Sequence, residues 1–139
     1  MLKTLLLTLV ATLLFAAAAS AQQIVGISQD GMVFMIDKVK RDKNTVTFIG
    51  SYSPAVEIDK QGKVTIDGDN IVFTDFWANC MSFDFTASGN RGLLKGVPFG
   101  PDKSAPTSGT AEKPQIMYSA IQAACKAAPT NQKLGAERR

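Results

Sequence analysis

Ile71-Val72-Phe73-Thr74-Asp75-Phe76-Trp77-Ala78-Asn79-Cys80-Met81-Ser82-Phe83-Asp84-Phe85 carries the only Trp and one of the two cysteines of this 139-residue chain. Its composition is that of a β-strand, and alternation lets Ile71, Phe73 and Trp77 share one face. Beyond Cys80, Met81, Phe83 and Phe85 share a face in the same way. Asp75 interrupts the first series, so a bulge between Asp75 and Cys80 is expected to reconcile the two registers. The aromatic residues read as core, because such side chains usually form the core of a small β-rich domain. The second cysteine, Cys125, follows Pro114 in a segment where Ile116, Met117, Ala120, Ile121, Ala124, Cys125 and Ala128 recur at helical spacing before Pro129. A Cys80–Cys125 bond would staple that helix to the aromatic stretch. Closing a ring of this length contributes about 4 kcal/mol in the chain-entropy account.

Upstream, Ile24 to Ser28 and Met32 to Val39 read as strands separated by a turn at Gln29-Asp30-Gly31. Lys40 to Asn44 reads as a polar hairpin connection into Thr45 to Tyr52, where Val46, Phe48 and Tyr52 fall on one face. Ser53-Pro54 should interrupt the pattern and mark an edge or a crossing, since proline donates nothing to a ladder. Val56 to Ile58 and Val64 to Ile66 flank a turn in which Gly62 suits the left-handed region, and Asp67-Gly68-Asp69-Asn70 makes the next turn. Downstream, Ala87 to Gly92 reads as a turn-rich connector, Leu93 to Val97 as a short last strand, and Pro98 to Pro114 as a long surface loop. The fold class is therefore α+β. An antiparallel sheet of about five to six strands packs against one C-terminal helix.

The N-terminus combines Lys3, an apolar run from Leu5 to Ala19 and the small-x-small site Ala19-Ser20-Ala21, the pattern of a secretory signal peptide over residues 1–21. The run is shorter than the roughly 20 residues of a membrane span. Residues 22–128 then form a single domain and residues 129–139 a loose tail. The expected location is the periplasm or the exterior, where two cysteines pair by default. A net charge of +3 is too mild to argue for nucleic acid. The chain has no histidine, which removes His-based triads and dyads, imidazole acid/base chemistry and His zinc ligands. No cofactor or metal is implied, and the expectation is a protein that is not an enzyme.

Three groups invite functional readings. Lys38, Lys40, Arg41 and Lys43 form the densest run of charge and could dock an anionic polymer, a glycan or an acidic partner, although charge at a hairpin tip also serves solubility. Asp67, Asp69 and Asn70 with Asp59 offer oxygen ligands but lack the spacing of a calcium loop, and turn chemistry accounts for them. Asp75 and Asp84 would make an acid/base pair only if they faced a shared cleft with a raised pKa. The Pro98 to Pro114 loop is the expected place for recognition.

The order of elements, the run Asp37-Lys38-Val39-Lys40-Arg41-Asp42-Lys43-Asn44-Thr45-Val46-Thr47-Phe48, Cys80 after an aromatic strand and a helix carrying Cys125 together resemble the bacterial surface-adhesin E-like family. That resemblance covers most of the chain after residue 21. It implies a small antiparallel sheet packed on a helix and stapled by one disulfide, in exported proteins of which some bind host matrix or serum proteins. Only Cys80 and Cys125 carry over residue by residue. The chain departs from the family in lacking a lipidation cysteine, with Gln22 and Gln23 after the small residues, and in having Phe48-Ile49-Gly50 where relatives tend to place a Trp. The expected function is an exported binding protein for a host matrix or cell-envelope protein. The other reading is a periplasmic inhibitor of a cell-wall-degrading enzyme such as lysozyme, acting through an inserted loop.

Overall fold

The computed structural model describes residues 22–127; the expected signal peptide and tail lie outside them. The described residues form an antiparallel sheet of eight strands and one helix. The strands are β1 (Gln23–Ile27), β2 (Met32–Asp42), β3 (Thr45–Ile58), β4 (Val64–Ile66), β5 (Ile71–Asn79), β6 (Asp84–Leu94), β7 (Val97–Phe99) and β8 (Thr107–Thr110), followed by helix α1 (Ile116–Cys125). The main path runs β1-β2-β3-β5-β6-β7, with β4 added to β3 and β8 to β6. The α+β class and the late helix agree with the sequence reading; the strand number exceeds it.

Alternation places apolar side chains on both faces of this sheet, and each face acquires its own cover. On one face Ile36, Val46, Phe48, Phe76 and Ala78 pack under Ala120, Ile121 and Ala124 of α1. Phe76 is the centre of this core: it stacks on Phe48 at 5.2 Å between ring centroids and meets Phe34 edge-on at 6.3 Å. Gly50 makes room for it, since a Cβ there would lie 2.5 Å from Phe76 Cε2. On the opposite face Val33, Met35 and Ile71 pack with Phe73 and Leu93 beneath Val64 and Ile66 of β4. Ser53 is fully buried on this side, and its hydroxyl donates to the carbonyls of Asp67 and Asn70, tying the following turn to the strand.

Several local expectations are corrected. The Ile71–Phe85 stretch is two strands joined by a turn. β5 pairs with β3 without a register break, from Tyr52↔Val72 to Thr45↔Asn79. The irregularity lies instead on β6, where Gly89, at φ 69°, adds a residue opposite Thr74. No slip in β5 is needed, because Ile71 and Phe73 serve one core while Phe76 and Ala78 serve the other. Asn79 shapes the turn by accepting the backbone N–H groups of Met81 and Ser82 on its side-chain oxygen. Met81 lies exposed in that turn.

Lys40 to Asp42 belong to β2, and the connection to β3 is only Lys43 and Asn44. Pro54 does not end β3. It sits where the strand has left β5 and is about to pair with β4, a crossing at which no donor is required. Ala87 to Gly92 lie within β6, and Val97–Phe99 and Thr107–Thr110 of the expected Pro98–Pro114 loop region are strands β7 and β8 laid along β6, with 100–106 left as an exposed connection. Small and hydroxylated residues form strands here because paired neighbours supply the ladder, which outweighs their weak intrinsic preference. The helix begins at Ile116, just beyond Pro114.

Cys80 and Cys125 are bonded, with their Cα atoms 5.8 Å apart. The backbone N–H of Cys80 donates to the Asn44 carbonyl at 2.7 Å, which brings the β2–β3 turn to the same corner.

Candidate functional site

β5 presents Phe76 to the helix-side core and Trp77 to the other face, and the two side chains have opposite fates. Phe76 is buried, whereas Trp77 is 40% exposed. The cover supplied by β4 reaches Ile71 and Phe73 but does not extend along β5 to Trp77. Trp77 therefore stands on an open stretch of sheet, and the expectation that it belongs to the core is corrected. Its cross-strand neighbours are Thr47 on β3 and Thr86 on β6; two residues back, Asp75 lies between Ile49 and Ser88.

Three shallow grooves, of about 390, 300 and 360 Å³, share Trp77 in their walls. The largest lies between Lys38 and Lys40 on β2 and Thr86 and Ser88 on β6. Another continues across Asp84, Ser108 and Thr110. They form one continuous surface around the indole, edged by lysine and hydroxyl side chains.

The basic run is divided by the strand. A bulge between Asp37 and Lys40, with Lys38 at φ 50°, sets Lys38 and Lys40 along the Trp77 face. Arg41 is opposite Val46, a residue of the helix-side core, and its guanidinium donates to the carbonyls of Cys125 and Ala127 at the end of α1. Lys43 lies in the hairpin turn at φ 53° and offers its carbonyl to Arg41 Nε.

The carboxylates are engaged. Asp75 forms a two-point ion pair with Arg91, both N···O distances being 3.1 Å. Arg91 also donates to the Gly89 carbonyl, so the β6 bulge helps to aim it. Asp84 accepts from Thr110 Oγ1 at 2.5 Å and Ser82 Oγ at 2.9 Å. Those two donors, Thr110 first, hold its carboxyl below the ordinary value. A general acid needs a raised carboxyl pKa, and the surroundings of Asp84 act in the opposite sense. Asp59 and Asp67 likewise spend their oxygens on local N–H groups, Asp59 on Gln61 and Lys63, and Asp67 on Asp69 and Asn70. Among the described residues no three acidic or cysteine side chains converge on a point suited to a metal.

Thr47, Ile49, Thr86 and Ser88 are the site residues that sequence reasoning passed over. Their signal was the other half of the alternation: a strand placing Val46 and Phe48 inward turns Thr47 and Ile49 outward.

No family model and no curated protein sequence matches the chain. In structure it is similar to protein E from non-typeable Haemophilus influenzae, with a TM-score of 0.51 and 15% sequence identity over 85% of this chain and 87% of that one. The two chains share a fold. Among the described residues no helix is long and apolar enough to cross a membrane.

Proposed function

We propose that this chain is an exported, non-enzymatic binding protein that presents the Trp77 face of its sheet to a host matrix or cell-envelope protein. The observation that carries the reading is Trp77 itself: a large aromatic side chain left 40% exposed in mid-sheet while its neighbour Phe76 is buried. Exposed Trp in a polar surround is a common anchor of binding surfaces, where it contributes far more than its share of the energy. The fold shared with protein E agrees with the adhesin E-like resemblance of the sequence. A disulfide in a small β-rich domain agrees with export to the periplasm or beyond. The inhibitor reading calls for an inserted loop, and residues 100–106 form an exposed connection between β7 and β8; the exposed Trp77 favours the sheet face as the surface of recognition.

The test is capture from extracellular-matrix and bacterial-envelope extracts by the wild-type domain and by Trp77→Ala, both verified as folded. The expected result is a set of proteins retained by the wild type and lost by the variant. Identical retention by both, or none by either, overturns the reading.

A further inference from the structure

The composition of the Trp77 face narrows what it contacts. The core of a protein–protein interface is enriched in aromatic residues, Met and Arg and depleted in Lys and Ser. Around Trp77 the exposed side chains depart from that balance. Phe48, Phe76 and Phe85 reach the groove walls from the helix-side core, but the side chains at least partly exposed beside the indole are mainly short hydroxyls, two lysines and Ile49. Each Ser or Thr hydroxyl both donates and accepts, and ordering it sacrifices little rotamer freedom beside a long side chain. Such a surface suits a ligand that is itself rich in hydroxyl groups and has a flat C–H face for the indole. A sugar ring has both.

Charge adds the second element. Lys38 and Lys40 line the groove on the β2 side. Of the carboxylates near them, Asp75 is paired with Arg91, whereas Asp84 and Asp37 accept neutral donors, Thr110 and Ser82 for the first and the backbone N–H of Lys38 for the second. Among the described residues Arg91–Asp75 is the one ion pair, so neither lysine is neutralised by a carboxylate there. Two compact ammonium charges beside an aromatic plate complement an anionic group attached to a stacked ring.

Resting on the reading of this face as the recognition surface, we infer that what it reads on its partner is an acidic sugar chain, with a ring stacked on Trp77 and its carboxylate or sulfate against Lys38 and Lys40.

Because Trp77 is the only Trp in the chain, intrinsic fluorescence reports on this face alone. The probes are polygalacturonate and dextran sulfate, with neutral dextran and poly-L-glutamate as comparisons. The acidic polysaccharides should shift the indole emission saturably, more weakly as salt is raised. Neutral dextran and polyglutamate should bind at least tenfold less tightly. Lys38→Gln/Lys40→Gln should weaken polysaccharide binding by about tenfold, with the melting temperature unchanged. Trp77→Ala, followed by calorimetry, should abolish it. Polyglutamate binding as tightly as polygalacturonate overturns the inference in favour of an acidic peptide, and dextran binding as well as dextran sulfate removes the role of the lysines. If no polysaccharide binds while protein capture still depends on Trp77, the inference falls and the binding function stands. If Trp77→Ala changes neither assay, both fall.

Discussion

Arg41 Nη1 donates a hydrogen bond to the carbonyl oxygen of Cys125. The same carbonyl belongs to the last residue of α1, whose cysteine is bonded to Cys80. A cation from β2 thus meets the negative end of the helix dipole where the helix is covalently fastened. α1 has no basic residue in its own last turn, so this charge comes from the sheet. Arg41→Ala should lower stability by about 1–2 kcal/mol, given a partly buried charge-assisted bond at a helix C-terminus. Lys40→Ala, on the opposite face, should change it by no more than about 0.5 kcal/mol. Urea unfolding of the two variants checks the difference.

Cys80→Ser should cost about 2–5 kcal/mol, because the bond closes a ring with a sequence separation of 45 and holds the helix end to the β5–β6 turn. Reduction of the wild type should reproduce the loss. Denaturant titrations with and without reductant measure both, and Cys80→Ser should show no further response to reductant.

Phe76 and Trp77 provide a contrast between adjacent residues. Phe76→Ala empties the helix-side core and should cost about 3–5 kcal/mol. Trp77→Ala removes a side chain on the open face and should cost less than half as much. Equal losses would mean that Trp77 is a core residue after all.

Gly50→Ala should destabilise by about 1–3 kcal/mol, since its Cβ would fall 2.5 Å from Phe76 Cε2 inside a packed ring cluster. Combining it with Phe76→Leu should recover part of the loss, because the smaller side chain vacates the contested space. Thermal unfolding of the single and double variants makes the comparison.

Asp84 gives a pH dependence with a defined sign. Hydrogen bonds from Thr110 and Ser82 lower its folded-state pKa beneath the ordinary value of 3.8. Its contribution to stability is therefore present above that value and is lost as pH falls through the lower folded value. Asp102, held down by hydrogen bonds from Ser104, contributes in the same direction. In carboxyl-detected NMR titrations, Thr110→Val should move the Asp84 midpoint upward and leave that of Asp102 in place.

The fold class and the cross-link were legible because they depend on strong local signals: helical spacing around Ala120 and Ile121, two cysteines, and a glycine at position 62 that adopts φ 81°. β8, Thr-Ser-Gly-Thr, carries no such signal, and it is a strand only because β6 offers a ladder to it. Lys38, Lys40 and Arg41 are neighbours in sequence, yet alternation separates Arg41 from the other two, so a charge cluster on paper is a face and a cap in space. Trp77 was harder still. Alternation divides β5 into two faces, but which face stays uncovered depends on how far β4 reaches, and that is settled by packing between distant segments.

Trp77 is paired at its own position with Thr47 on one side and Thr86 on the other, and β8 extends the sheet beyond Thr86. Its backbone is fixed two strands away from any fraying edge. A ligand arriving there has little chain entropy to remove and no loop to reshape. The platform is preorganised, and a large part of any contact energy gained at the indole is retained as affinity. A flexible recognition loop would have had to surrender more of it on ordering.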